Sequence, residues 1–273
     1  MKSSNPVLNS WVAGAGRGQT MAPPYAGYGA PGYAYPNVQY PPMAPPRVTT
    51  MTLDDVVIRT VGLLALLGIS GAAAWILIPE TNALNLALFG SMITGLVLGL
   101  VISFARITNP VVIGAYAVAE GVFLGIVSKF YETLFNGIVL QAVVGTFAVF
   151  AGMAVLYKFR VLRATPLFTK VVLGALIGAV GLMLVNLLFA VFGADLGIFG
   201  NPTDGQTELL PILVSLALVV IAALTFVLDF AAVEEGVRAG APQKYAWYAS
   251  FGIVVGLVFL YLQLLRLLSL LRE

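Results

Sequence analysis

The sequence predicts an all-α integral membrane protein: a seven-transmembrane helix bundle, N-terminus cytoplasmic and C-terminus outside, preceded by a disordered tail. Three observations predict it. The chain is 60% hydrophobic and only 10% charged, where soluble domains carry roughly 25% charged residues. Runs free of Asp, Glu, Lys and Arg fill 60–79, 81–105, 133–157, 171–194, 209–228 and 246–265, and 107–128 is interrupted only by Glu120. A spanning helix needs about 20 mostly apolar residues to cross ~30 Å of hydrocarbon. The basic residues are also lopsided. With the N-terminus inside, only Lys129, Arg266 and Arg272 of the 14 fall on the far side, where the 193–208 loop carries Asp195, Asp204 and Glu208. That asymmetry sets the orientation. The ~10-residue alternating segments of a β-barrel are absent.

Two parts are expected: a tail over 1–50 and a membrane domain over 51–273. The tail holds nine prolines, six glycines and five tyrosines, and no acidic residue precedes Asp54. Such a segment buries too little apolar surface to offset its chain entropy and reads as disordered. Pro42, Pro45 and Arg47 match a PxxPxR pattern, read here as a solvated linker. Lys2 is followed by polar residues and no apolar run, so the start does not read as a signal peptide.

Thr52 reads as an N-cap with Asp55 three residues on, a capping-box relation that opens the first helix. The spans are expected at 53–78, 83–105, 111–131, 134–157, 170–192, 209–230 and 246–270. Trp75, Tyr131, Tyr157, Trp247 and Tyr248 fall near span ends, where amphipathic rings prefer to sit. Gly95/Gly99 and Gly174/Gly178 have small-xxx-small spacing, read as ordinary bundle packing.

Absences narrow the chemistry. The chain has no cysteine and no histidine, which removes disulfides, thiol catalysis, the usual neutral-pH base and the usual zinc ligand. No EF-hand loop, P-loop or GxGxxG before a helix is present. A net charge of +2 gives no basis for nucleic-acid binding. The chain is not expected to be an enzyme or to hold a cofactor.

Charges inside the spans are therefore the candidate site. Glu120 lies nine residues after Val111, roughly 14 Å along a helix and near the bilayer midplane. A carboxylate there must be neutralised, paired or wetted. It reads either as part of an ion or proton path or as a neutral group hydrogen-bonded to Asn186 or Gln141. Asp229, in TFVLDFAAVEEGV, is placed near the inner end of the sixth span, and Arg106, in SFARITNP, at the inner end of the second. The two read as a gating pair or a static salt bridge. Glu234 and Glu235 read as a solvated helix end paired with Arg238, and Arg266 as a snorkelling cation with Gln263 a turn before it. Calcium wants 6–8 oxygens, so Asp229, Glu120 and Glu234 offer a weak Ca²⁺ transit site at Asp229 rather than a tight cage.

The stretch LDFAAVEEGVRAGAPQKYAWYASFGIVVGLVFLYLQLLRLL, the EGVFLG run and the MTLDDVVIRT opening resemble the Bax inhibitor-1 (YccA-like) family, particularly its actinobacterial branch, over roughly 51–272. The resemblance implies a seven-helix bundle in a bacterial inner membrane with the last helix near its centre. It implies a pH-sensitive Ca²⁺ leak, or restraint of membrane proteases or of cell death. Leaking members use two aspartates, one on each of the last two helices, with an arginine from the second helix. The first corresponds to Asp229, with Arg106 as the arginine. The second has no acidic counterpart: Gly256 or Gln263 occupies its region. An acidic residue that related bacterial sequences carry two positions after the first aspartate is Ala231 here.

The expected function is a pH-modulated cation (Ca²⁺) leak in the lipid bilayer, with Asp229 and Arg106 as gate, Glu120 as a midplane contact, and Ca²⁺ as permeant ion. The alternative is a non-conducting regulator that binds a membrane protease or other complex.

Overall fold

The computed structural model describes residues 49–79, 82–192, 198–199 and 209–272. The expected tail disorder and the Pro42, Pro45 and Arg47 pattern lie outside these residues, as do Asp195, Asp204 and Glu208. The compact unit that holds the described residues begins at Arg47. Seven helices run through the described residues: α1 Leu53–Leu77, α2 Asn82–Ala105, α3 Pro110–Leu134, α4 Ile138–Lys158, α5 Pro166–Val191, α6 Leu209–Arg238 and α7 Tyr245–Leu270. All seven are long and apolar enough to cross a bilayer. We call the end where α1 begins proximal and the other end distal.

Helix starts follow local chemistry. Thr52 and Asp55 form the expected capping box, each side chain accepting from the other's backbone N–H at 3.1 Å. Asn109 accepts from Val111 N at 2.9 Å, with Pro110 at the first helical position of α3. Thr165 does the same for Phe168 at 3.2 Å, ahead of Pro166. This cap-plus-proline signal starts α5 four residues before the expected 170. The α4 N-terminus follows Gly137, at φ 77°, and its orphan N–H groups are met by Glu132, which accepts from Gly137 N and Val139 N.

Three helices end at the proximal side with one C-terminal motif. Ile107 N donates to Ile102 O, Val161 N to Leu156 O and Ala241 N to Gly236 O. The residue before each donor, Arg106, Arg160 and Gly240, is left-handed at φ 49°, 59° and 65°. This six-to-one closure satisfies carbonyls the helix leaves orphaned. The largest difference from expectation is the end of α6, which continues from 230 to Arg238. There Arg238 pairs with Glu234 at 2.7 Å and Glu235 at 3.7 Å, and Tyr157 donates to Glu234. These i,i+3 and i,i+4 pairs carry the helix into a polar zone.

The bundle is organised around α7, which packs on α1, α3, α4 and α6. In its most apolar window 61% is buried, against 11% in α2 and α5. α2 lies against α3 and α5 against α6. The tightest crossing joins α1 to α3. A Cβ at Gly125 would overlap the Gly71 carbonyl, and one at Gly121 would overlap Ser70 and Leu67. Close backbone approach of this kind drives association where lipid offers no hydrophobic force.

At the proximal end the segment before α1 is strapped to the α6–α7 turn. Thr50 bridges antiparallel to Pro242, Met51 N donates to Ala241 O at 2.7 Å, and Gln243 N to Thr49 O at 2.9 Å. Gln243 Nε2 donates to Asp55 Oδ1 at 2.8 Å, and Arg59 donates to Gln243 O and stacks over Trp247. Thr49 and Thr50 thus hydrogen-bond or bridge to the α6–α7 turn.

Candidate functional site

Asp229 sits on α6 where that helix packs against α7, the most buried of the described helices. Its carboxyl lies over Gly256 of α7: a Cβ at Gly256 would stand 3.5 Å from Asp229 Oδ2 and 3.0 Å from Phe226 Cε1. The missing side chain leaves room for the carboxyl. Phe226 is fully buried and belongs to an aromatic cluster on the proximal side, with rings of Phe150 at 5.1 Å and Phe230 at 6.3 Å. Tyr157 extends the cluster toward Glu234 through Phe230 at 5.7 Å.

Asp229 lies nine residues before the end of α6 at Arg238, about 13 Å along the helix. Gly256 lies eleven residues after Tyr245, about 16 Å from the proximal start of α7.

Arg106 is not with it. The arginine is exposed and occupies the left-handed position just beyond α2. α2 makes no extended packing with α6, and among the described residues no ion pair joins Arg106 to Asp229. The expected Asp–Arg gate is corrected on geometry: Arg106 terminates a helix at the bundle's rim.

Glu120 does face a neighbour, but neither Asn186 nor Gln141. Its carboxyl lies against Gly95 of α2, whose absent Cβ would overlap Glu120 Oε2. Gln141 accepts from Arg272 at 2.7 Å instead, and α3 makes no extended packing with the α5 that carries Asn186. Gly99 likewise admits Tyr116, so the Gly95/Gly99 pair is bundle packing; a Cβ at Gly174 or Gly178 would meet nothing.

Two contacts set the height of Glu120. Tyr116 meets Phe251 at 4.9 Å and Ser128 bonds Tyr261 at 2.6 Å. Interpolating between them puts Glu120 level with Val254–Val255, beside Gly256. The two carboxyls thus share one depth, Asp229 at the α6–α7 contact and Glu120 at the α2–α3 contact. Gln263 is seven residues beyond Gly256, about 10 Å away along the helix. It is buried, and its Oε1 has no partner among the described residues. Glu234 and Glu235 are exposed partners of Arg238, and Arg266 donates to Phe199 O at 2.7 Å and stacks over its ring. Among the described residues no three acidic side chains cluster to hold a metal.

A family model described as Bax inhibitor 1 like matches residues 5–273. The chain belongs to the Bax inhibitor 1 like family. The match extends beyond the resemblance over 51–272 and takes in most of the Pro/Gly/Tyr tail. A search of curated proteins finds no match. Of Gly256 and Gln263, Gly256 is the one that meets Asp229. Sequence reading missed the Gly256 and Phe226 surroundings of Asp229, because helix facing depends on α6–α7 register. It also missed the Gly71–Gly121–Gly125 crossing, although Gly121 and Gly125 stand at small-xxx-small spacing inside the EGVFLG run.

Proposed function

We propose that this Bax inhibitor 1 like protein is a proton-modulated cation leak that passes Ca²⁺ across a bacterial inner membrane, N-terminus inside. Asp229 is its titrating group. One observation supports the reading: a carboxyl on a helix long and apolar enough to cross a bilayer, half-buried over a glycine, with no cation paired to it among the described residues. Ionisable groups inside membrane spans are expensive and mark ion or proton pathways. Glu120 supplies a second carboxyl at the same level. Protonation of Asp229 changes what lies between α6 and α7, and that helix contact is the gate. Ca²⁺ meets Asp229 as a weak, transient contact, because too few oxygens surround it for a cage.

The test is Ca²⁺ flux into proteoliposomes at acidic and neutral pH. Asp229→Asn keeps the shape and removes the titrating group, so flux should lose its pH response. An unchanged response would remove Asp229 from the gate.

A second reading is favoured by the family match through residues 5–46: the chain regulates a membrane protease through its tail. Deleting 1–46 would then abolish partner capture, whereas a leak built from α6 and α7 survives the deletion.

A further inference from the structure

The turn between α4 and α5 gathers positive charge that no acidic residue nearby in the chain answers. Lys158, Arg160, Arg163 and Lys170 lie within 158–170, and the chain holds no Asp or Glu from 133 to 194. All four cations are exposed. Arg160 lies in the field of Glu234, which Arg238 and Tyr157 already bond. The side chains of Lys158, Arg163 and Lys170 neither hydrogen-bond nor pair with any described residue. Elsewhere at the proximal end the cations are engaged or single. Arg59 pairs with Asp55, Arg238 with Glu234, and Lys244 lies over the Tyr245 ring at 5.6 Å. Arg106 is the one cation of the α2–α3 turn.

The α4–α5 turn is held from beneath. α4 closes as Val161 N donates to Leu156 O at 3.0 Å, and α5 opens on the Thr165 cap. Side chains alternate between these two points. Leu162 and Ala164, with Phe168 beyond, pack against the buried cluster that contains Met153 of α4 and Val233 of α6. Val161, Arg163 and Leu167 are exposed. The cations are thus presented by a seated backbone. Phe159, Val161 and Leu167 are 73%, 67% and 73% exposed, so three large apolar side chains stand among them. Leu167 and Lys170, three residues apart, share one face of α5.

α4 and α5 are both long and apolar enough to cross a bilayer, so the turn between them emerges at a bilayer face. Cations alone would suit water, and apolar side chains alone would suit lipid tails. Interleaved, they fit the boundary, with apolar groups among the upper acyl carbons and charged heads at the phosphates. Four or more basic residues beside a spanning helix attract anionic lipid. An arginine fork takes a phosphate bidentately, and a lysine ammonium takes it as a point charge. An acidic protein segment would answer the cations and leave the three apolar side chains without cover.

We propose that the α4–α5 turn is a binding surface for anionic phospholipids of the proximal leaflet, with Lys158, Arg163 and Lys170 at headgroup phosphates and Phe159, Val161 and Leu167 in the acyl boundary. The surface is independent of the leak and of Asp229.

The test uses the full chain in phosphatidylcholine vesicles that carry a trace of lipid with a photoactivatable diazirine near the headgroup. One preparation carries phosphatidylglycerol as the probe, the other phosphatidylcholine. Adducts are mapped by mass spectrometry. The ratio of phosphatidylglycerol to phosphatidylcholine adducts on Phe159, Val161 and Leu167 should exceed that on Phe104 and Val111 at least about fivefold. Those two are exposed apolar residues at the same end of the bundle, beside the lone Arg106. Replacing the three cations together, Lys158→Gln, Arg163→Gln and Lys170→Gln, should bring the ratio at the turn down to the Phe104 and Val111 value. The latter, unchanged, shows that the bundle is intact. A turn ratio no higher than the Phe104 and Val111 ratio in the unmodified protein overturns the surface, and so does a preference that survives the triple replacement. If the ratios are equal and soluble poly-glutamate protects Lys158 and Lys170 from acetylation, the surface belongs to an acidic protein segment instead.

Discussion

Asp229 and Gly256 face each other across the α6–α7 contact, the carboxyl Oδ2 standing 3.5 Å from where a glycine Cβ would be. Phe226 closes the same space at 3.0 Å and is fully buried. The carboxyl therefore occupies volume that a larger residue on α7 would claim. Gly256→Leu should push Phe226 from its place and destabilise by about 1–3 kcal/mol, the usual range for overpacking. Thermal unfolding in detergent measures it, and a midpoint equal to wild type would show that the pocket around Asp229 is loose.

Glycines at equal sequence spacing should behave oppositely. Gly125→Ala places a methyl on the Gly71 backbone, which no rotamer change relieves. It should cost at least about 1–3 kcal/mol. Gly174→Ala and Gly178→Ala meet open space and should be neutral or stabilising by up to ~1 kcal/mol through helix propensity. Side-by-side unfolding curves decide this. Equal losses at all three positions would mean the α1–α3 crossing is not the tight one.

Arg106 holds a left-handed backbone at φ 49°, a conformation that favours glycine. Arg106→Gly should stabilise α2 by roughly 0.5–1 kcal/mol and leave the pH response of Ca²⁺ flux as it was. Loss of that response would restore the arginine to the gate.

Asp55 joins the start of α1 to the α6–α7 turn by accepting from Thr52 and Gln243 and pairing with Arg59 at 3.5 Å. Asp55→Ala should free the strap before it affects the bundle. Amide exchange at Met51, whose N–H bonds Ala241 O, should quicken while exchange in α7 stays slow. Uniform exchange changes across the chain would instead mean that Asp55 supports global folding.

Much of the architecture was legible in one dimension. Seven helices follow from apolar length, and the capping box of α1 from Thr52 and Asp55. The Pro110 and Pro166 starts obey local chemistry too, a proline after a capping side chain, although the expected starts at 111 and 170 did not use it. Hydropathy alone closes the sixth span at 230, and only the i,i+3 and i,i+4 spacing of Glu234, Glu235 and Arg238 reads the solvated helix end beyond it. Arg106 misled for a related reason. A cation beside an apolar run reads as a counter-ion, whereas its left-handed backbone belongs to helix termination.

By itself the sequence determined the solvent, the number of helices, the family and the two candidate carboxyls, since each depends on composition or local chemistry. Tertiary structure alone decided which residues meet. Helix facing turns by about 100° per residue, so a small uncertainty in register moves a partner to another face. Only the packed bundle puts Gly256 beneath Asp229 and Gly95 beneath Glu120.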